Sequence, residues 1–301
     1  MLLLSMRTKI FYVLIIVITI KLIFNICGLI DISYDTVLNE INSNKEYKFT
    51  VGPLPYKNKH FVKNEIERLY TFVDILNDIK TINYTNNNRI KQNKITIKLV
   101  FFKKNKKLNF ELLENFIKYA NKYNIMVGIA SLMRYDRFEE LNTYLKLLKL
   151  GYTNIFITLA TYHDDINERV NLVLKHGGCV RLVKGWYNDG NVKDWKQVGK
   201  NYLKNAKKLV ETNKYHILAT HDFDLLLQLY NIYGTKMDSI EIIFFKFSQR
   251  FVEKKMKKFP YVIKNKSFYK PYGKICLSFL NNFTKYNFYR MFQRRYIGKV
   301  N

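Results

Sequence analysis

The segment Gly177–Gly190, GGCVRLVKGWYNDG, places two cations in an otherwise apolar run. The apolar residues predict a buried strand that ends at Gly185, yet Arg181 and Lys184 interrupt it. Burying a cation costs several kcal/mol unless the charge finds a partner. The two cations therefore indicate either an anionic ligand at the strand end or ion pairs with acidic side chains of the protein.

Further polar and aromatic side chains stand near the ends of other predicted strands. Lys98 lies in ITIKLVFF, Thr220 and His221 end HILATHD, Tyr269 lies in FYKPYG, and Tyr187 follows the segment described above. In a parallel barrel the carboxyl ends of all strands meet at one mouth, where binding residues collect. Such a mouth, lined by cations and aromatic rings, suits an anionic, aromatic ligand.

Short apolar runs alternate with amphipathic stretches, which is the pattern of parallel strands connected by helices. The predicted strands are Tyr47–Val51, Ile95–Phe102, Asn124–Ala130, Asn154–Ala160, Cys179–Lys184, His216–Thr220, Ile240–Phe245 and Ser267–Tyr272. The predicted helices are Phe61–Ile79, Glu111–Tyr123, Phe138–Leu150, Ile166–His176, Trp195–Thr212 and Phe223–Tyr233. The pattern favours an α/β fold, a (β/α)8 TIM-type barrel. An open doubly wound sheet is the rival, although no GxGxxG motif follows the first strand.

The order of four motifs resembles the proline dehydrogenase family. RLVKGWY resembles that family's RLVKGAY, and HILATHD resembles its ATHN or ATHD strand. NKITIKLV is similar to the strand that carries a pocket lysine, and FYKPYG is similar to YVPYG. The motifs occur in family order within residues 45–283, so the sequence looks like a divergent member of this family.

The resemblance implies a barrel that binds FAD across its mouth and oxidises L-proline or a related cyclic amine. A hydride would pass from the substrate to the flavin, giving 1-pyrroline-5-carboxylate, and the electrons would pass to a membrane quinone. The implied cofactor-binding residues are Arg181, Val183, Lys184, Gly185, Thr220 and His221. The implied catalytic residues are Lys98 beside the substrate carboxylate, Arg181 near flavin N5, and Tyr187 and Tyr269 around the proline ring.

Departures from the family are concentrated on the substrate side. Pro53 stands where the family has Glu, Ala160 where it has Gln, and Trp186 where it has Ala. The third strand carries no carboxylate, and Asn281 and Asn282 stand where an Arg pair would clamp the substrate. Asn does not replace a bidentate Arg–carboxylate contact. A degenerate, non-catalytic relative of the barrel therefore stays open as an alternative.

The two ends of the chain predict membrane contact. Residues 1–32 contain an apolar run from Ile10 to Ile20 after Arg7 and Lys9, which resumes after Lys21 and reaches Ile30. This pattern is typical of a signal anchor or targeting segment. Residues 284–301 form a basic, aromatic helix candidate suited to a lipid interface. We expect membrane association through the N-terminal helix, at the mitochondrial inner membrane or another host membrane.

The chain is strongly basic, with 51 Lys and Arg against 24 Asp and Glu and a formal net charge of +27. Such a field attracts nucleic acid, anionic membranes or anionic cofactors. No recognised nucleic-acid motif accompanies it, so we predict no nucleic-acid partner, and composition bias explains much of the excess. A membrane-anchored basic binding protein is the remaining alternative. No metal spacing occurs among the cysteines, and His163 with the two aspartates after it predicts a solvated loop.

Overall fold

A ring of parallel strands forms the centre of the fold. The computed structural model describes residues 48–51, 62–78, 93–105, 107–132, 137–184, 191–192, 194–220, 222–245 and 263–268. The barrel strands are β1 (Lys48–Val51), β2 (Lys94–Ile97), β3 (Met126–Ser131), β4 (Ile155–Ala160), β5 (Cys179–Val183), β6 (His216–Ala219), β7 (Ile240–Phe245) and β8 (Ile263–Phe268). Each pairs in parallel with its neighbour in the chain, and β8 pairs with β1, so the barrel is closed.

Helices connect these strands along the outside. The described helices are α1 (Val62–Asp78), α2 (Phe110–Lys122), α3 (Arg137–Lys149), α4 (Ile166–Lys175), α5 (Trp195–Glu211) and α6 (Phe223–Tyr233). Each begins and ends within one residue of its predicted bounds. Asn109 and Asp194 cap two of them by accepting hydrogen bonds from backbone amides of the first turn. The predicted α/β barrel is confirmed in its parallel, alternating architecture.

Two predicted strands were wrong in their bounds. β2 ends at Ile97, because Leu99–Phe102 forms a 3₁₀ turn in which the Phe101 amide donates to the Lys98 carbonyl (3.1 Å). The apolar run LVFF does not alternate; Leu99, Phe101 and Phe102 are buried and Val100 is exposed, which does not follow the period of two of a strand. β8 begins at Ile263, not Ser267, because its parallel register follows β7, with Ile263 opposite Glu241.

Alternation along the strands separates the barrel interior from the layer under the helices. The outward residues join one continuous apolar core with the helices; they include Val127, Ile129, Ile155, Ile157, Val180 and Leu182. The inward residues form a second cluster, which consists of Met126, Phe156, Cys179, Tyr215, Ile217 and Ile243. Gly128 lets the Phe156 ring cross the interior, since a Cβ on Gly128 would lie 2.2 Å from that ring.

A charged pair lies in the barrel near its amino-terminal end. The Lys94 ammonium contacts Glu241 Oε2 at 2.7 Å, and both side chains are fully buried. The Tyr215 hydroxyl donates to the same oxygen (2.6 Å), and its ring lies 5.5 Å from the Lys94 ammonium. Burial, followed by the Glu241 charge, raises the pKa of Tyr215 well above its ordinary value. This end of the barrel is therefore filled by side chains and leaves ligand binding to the other end.

The predicted membrane segments lie outside the described residues. These are residues 1–32, with the apolar run, and residues 284–301, with the basic aromatic helix. Among the helices that the structure describes, none has the length and apolar character needed to cross a membrane.

Candidate functional site

Arg181 lies inside the barrel, on the inner face of β5. It follows Cys179 by two residues, so the alternation of the strand turns both side chains inward. The Arg181 Nη1 donates to Thr96 Oγ1 of β2 across the interior (3.1 Å), and only 8% of the residue is exposed. A guanidinium does not lose its proton in proteins, so this strand carries a permanent positive charge within the barrel.

Small side chains continue the inner face from Arg181 towards the carboxyl end of the strands. By alternation, Ala130 of β3, Ala160 of β4, Val183 of β5 and Ala219 of β6 occupy these positions. These four side chains are short and apolar; Val183 and Ala219 are half-buried, whereas Ala130 and Ala160 are buried. The mouth therefore has apolar walls and a cationic floor, which suits a flat, anionic ring system.

Thr158 adds a polar atom to this floor. Its backbone lies opposite Arg181 in the parallel register of β4 and β5, and the residue is 1% exposed. The Thr158 Oγ1 has no hydrogen-bond partner among the described residues. Burying a hydroxyl without a hydrogen-bond partner costs free energy, so a ligand atom that bonds to it would remove that cost.

Lys98 stands at the mouth, directly after β2. Its backbone is extended (φ −112°, ψ 134°), so the alternation from Lys94 through Thr96 continues to this residue. Lys98 is half-buried, two residues nearer the carboxyl end than the threonine that contacts Arg181. Burial lowers the pKa of Lys98, and the charge of Glu140 opposes the shift. The lysine is thus placed to offer a point charge to a ligand.

Lys184 is held by the protein itself. Its ammonium contacts Asp222 Oδ2 at 2.5 Å and lies 4.8 Å from the centre of the Trp195 ring. Its carbonyl accepts from the Thr161 hydroxyl (2.8 Å), and its amide donates to the Ala219 carbonyl (3.3 Å). The side chain therefore fastens the ends of β5 and β6 together.

Lys184 and Asp222 should act as one unit in stability. We expect Lys184→Met and Asp222→Asn each to lower the free energy of unfolding by about 1–3 kcal/mol, because each removes the opposite charge that lies 2.5 Å from a nearly buried group. The double variant should cost less than the sum of the two, with a coupling of roughly 1–2 kcal/mol. Equilibrium urea unfolding of the four proteins measures this coupling.

The Lys103–Glu139 pair is the matched control, since its two side chains are more exposed. Its coupling in the same cycle should stay below about 1 kcal/mol. Strictly additive effects of the Lys184 and Asp222 substitutions would contradict the pairing.

Thr220 begins the loop after β6 and orders it locally. Its hydroxyl accepts from the Asp222 amide (3.0 Å), and the residue is 6% exposed. Val183, two residues beyond Arg181, is half-buried at the mouth. Four predicted site residues lie outside the described residues: Gly185, Tyr187, His221 and Tyr269. Among the departures from the family motifs, the same holds for Pro53, Trp186, Asn281 and Asn282.

The predicted loop after β4 is present and Asp164 is exposed, but the prediction that His163 is solvated was wrong. The residue is fully buried; its Nδ1 lies 3.2 Å from Arg137 Nη1 and its Nε2 lies 3.0 Å from the Leu132 carbonyl. Arg137 can only donate, so Nδ1 accepts and Nε2 carries the proton. Arg137 also pairs with Asp165 (3.1 Å). The loop after β4 is folded over the end of β3, which no local signal in HDD indicates.

Sequence reasoning missed the partners of the predicted cations. Thr96, Thr158 and Asp222 were not singled out, since each looks like an ordinary strand or cap residue. Inward alternation marks the two threonines once β2 and β4 are recognised as barrel strands. Asp222 follows the ATH motif directly. In a chain with so many basic residues, the sequence does not indicate which of them an acidic residue pairs with. Within the described residues, no cluster of His, Cys, Asp and Glu is arranged to hold a metal ion.

Comparison with solved structures places this barrel among known folds. It is similar to proline utilization A (PutA) from Corynebacterium freiburgense, with TM-score 0.60 and 14% identity over 87% of this chain and 31% of that chain. It is also similar to the D779Y mutant of Bradyrhizobium japonicum PutA, with TM-score 0.62 and 14% identity over 78% of this chain and 28% of that one.

A third similar structure is PutA from Bdellovibrio bacteriovorus inactivated by N-propargylglycine, with TM-score 0.60, 14% identity and coverage of 77% of this chain and 29% of that chain. No family model matches the sequence, and no curated protein matches it. The chain spans about a third or less of the length of these PutA structures. What is shared is the fold: this chain has a divergent, PutA-like α/β barrel.

Proposed function

We propose that this chain is an FAD-dependent oxidoreductase of the proline dehydrogenase type. The substrate would be L-proline or a related cyclic amine, the product of proline would be 1-pyrroline-5-carboxylate, and the electrons would pass to a membrane quinone. The observation that carries the proposal is the buried guanidinium of Arg181 on the inner face of a PutA-like barrel. The ordered motifs around it, RLVKGWY and HILATHD, support the same assignment.

The described residues at the mouth fit a flavin. The walls at Ala130, Ala160, Val183 and Ala219 are short and apolar, as a flat ring system requires. The Thr158 hydroxyl is buried without a partner and can bond to a polar ring atom. When bound, FAD would supply the hydride acceptor that no amino-acid side chain provides.

Arg181 and Lys98 have separate tasks in this proposal. Arg181 keeps a fixed positive charge where negative charge develops during reduction, and Thr96 holds its guanidinium in place at 3.1 Å. Lys98 attracts a substrate carboxylate as a point charge at the rim. Its ammonium lacks the planar geometry of an Arg clamp, so the hold on a carboxylate is weaker.

A second candidate is a barrel that retains the flavin and has lost proline turnover. The inner positions of β3 are Met126, Gly128 and Ala130, and Ala160 ends β4. These strands thus offer neither a carboxylate nor an amide to orient an amine. If turnover is retained instead, the missing groups would give the enzyme a high Michaelis constant for proline or a preference for a cyclic amine without a carboxylate.

One experiment separates the candidates. The full chain is purified in detergent, scanned for flavin absorbance, and mixed anaerobically with L-proline, D-proline or pyrrolidine. Bleaching by L-proline, but not by D-proline, is the expected result for the enzyme. Bleaching by pyrrolidine alone would assign a cyclic amine without the carboxylate, and stable yellow protein would assign the non-catalytic relative. Colourless protein that does not take up added FAD would overturn both and favour a basic, membrane-anchored binding protein.

Membrane association remains part of the proposal. It is supported by the apolar run of residues 10–30, which predicts an N-terminal anchor. The mitochondrial inner membrane or another host membrane would supply the quinone. Fractionation of membranes from cells that express the full chain, with an alkaline wash to remove peripheral proteins, tests the anchoring.

A further inference from the structure

Helix α5 concentrates positive charge in a way that the other helices do not. It contains five lysines and one glutamate in the sequence WKQVGKNYLKNAKKLVE. The other five described helices together carry nine basic and ten acidic residues. A general bias towards lysine would raise the charge of every helix, so it does not explain this distribution.

The lysines of α5 lie on one face. At 100° per residue, the five positions fall within an arc of about 120°. They are Lys196, Lys200, Lys204, Lys207 and Lys208, and they are called the α5 lysine stripe below. The opposite face is buried against the barrel; its residues are Val198, Tyr202, Asn205, Ala206, Leu209 and Val210. The stripe therefore lies on the outer side of the helix, with Lys196, Lys200 and Lys204 exposed and Lys207 and Lys208 half-buried.

The stripe is not neutralised by the described part of the chain. Lys196, Lys200 and Lys204 are exposed, and none of the ion pairs among the described residues includes a lysine of the stripe. Lys208 donates to the neutral amides of Asn167 (2.6 Å) and Asn171 (2.8 Å), which leave its charge intact. Lysines three and four residues apart on a helix repel each other, so the stripe destabilises its own helix unless an anionic surface faces it.

We propose that the α5 lysine stripe docks the barrel sideways onto an anionic lipid surface. Lysine is a compact, hydrated point charge suited to a diffuse layer of lipid phosphates, whereas base or duplex recognition favours arginine forks and aromatic stacking, which the stripe lacks. The three exposed lysines, Lys196, Lys200 and Lys204, span roughly 12 Å at a rise of 1.5 Å per residue, so they reach one plane together only when the helix lies flat.

This orientation has a consequence for the mouth of the barrel. Helix α5 begins after β5, at the carboxyl end of the strands, and runs back along the outside of the barrel. With α5 flat on the lipid, the barrel axis runs parallel to the membrane surface, so the mouth faces sideways and not towards the lipid. The docking does not depend on flavin binding, so its test stands apart from that of the proposed function.

Amine footprinting tests the docking with the full chain. The protein is acetylated in vesicles of pure phosphatidylcholine and in vesicles containing anionic phosphatidylglycerol, and each lysine is quantified by mass spectrometry. Lys196, Lys200 and Lys204 should be modified more slowly only on the anionic vesicles, and high salt should abolish the difference. Lys122, Lys149 and Lys175, exposed on three other helices, serve as internal controls.

Charge removal gives the second arm. Lys196→Gln/Lys200→Gln/Lys204→Gln should lower the preference of the full chain for anionic over phosphatidylcholine vesicles by roughly a hundredfold, at about fivefold per lysine. The N-terminal anchor contributes equally to both kinds of vesicle, so this ratio of the two partition coefficients reports on the stripe. The comparison is Lys122→Gln/Lys149→Gln/Lys175→Gln, which removes the same charge from scattered positions and should change partitioning far less. Equal losses in both triple variants, or protection of the stripe by a single-stranded oligonucleotide but not by anionic vesicles, would overturn the proposal.

Discussion

Glu241→Gln is expected to lower the free energy of unfolding by about 3–5 kcal/mol, which is the usual cost of removing one partner from a buried ion pair. Lys94 and Glu241 are 0% exposed and 2.7 Å apart, so no water can take the place of the lost carboxylate. Equilibrium urea unfolding, read as a change in midpoint at constant slope, measures the loss.

A second substitution should restore much of that stability. In Lys94→Met/Glu241→Gln neither position of the pair carries a charge, and the glutamine amide oxygen can still accept from the Tyr215 hydroxyl. We expect the double variant to be clearly more stable than Glu241→Gln alone. Glu139→Gln is the control for charge removal, because its pair with Lys103 is partly exposed and should contribute at most about 1 kcal/mol. A double variant as unstable as Glu241→Gln would contradict a charge-based cause.

Arg181→Met should have the largest effect on the proposed activity. Methionine fills similar apolar volume but removes the permanent charge from the inner face of β5. Loss of one preorganised electrostatic contact typically lowers a rate by roughly 10²–10³-fold. We therefore expect weak flavin retention after gel filtration and slow anaerobic bleaching by substrate in this variant.

Arg181→Lys separates charge from geometry. It keeps the positive charge but loses the planar fork that reaches Thr96, so its flavin retention should fall between those of the wild type and Arg181→Met. Lys184→Met should act differently, since the Lys184 ammonium is engaged by Asp222: its effect on flavin should be reproduced by Asp222→Asn. Flavin content and bleaching rate unchanged in Arg181→Met would refute the proposed place of the cofactor.

Local pattern was enough to predict most of the architecture. Runs such as IFITLA of β4 and CVRLV of β5 are short, apolar and bounded by polar turns, and the helices between them repeat their apolar residues at helical spacing. These signals depend only on residues that are close in the sequence, so they can be read without knowledge of the fold. Where they failed, as at Leu99–Phe102, a run with no alternation carried no information about its periodicity.

The candidate site was only partly predictable for a related reason. Arg181, Lys184 and Lys98 could be singled out, because cations at predicted strand ends are unusual. Their partners could not, since the chain separates Arg181 from Thr96 by 85 residues and Lys184 from Asp222 by 38. Residues so far apart in the sequence come into contact only when the barrel has formed.

The sequence by itself determined the alternation of strands and helices, a parallel sheet, and the strand ends at which cations stand. The tertiary structure alone decided which side chains meet: Arg181 with Thr96 across the interior, Lys184 with Asp222 between two strand ends, and Lys94 with Glu241 across 147 residues. Closure and register of the barrel set these contacts, and both depend on the packing of all eight strands together. Periodicity along the chain predicts which face of a strand each side chain occupies. Only the closed barrel determines which side chain lies opposite it.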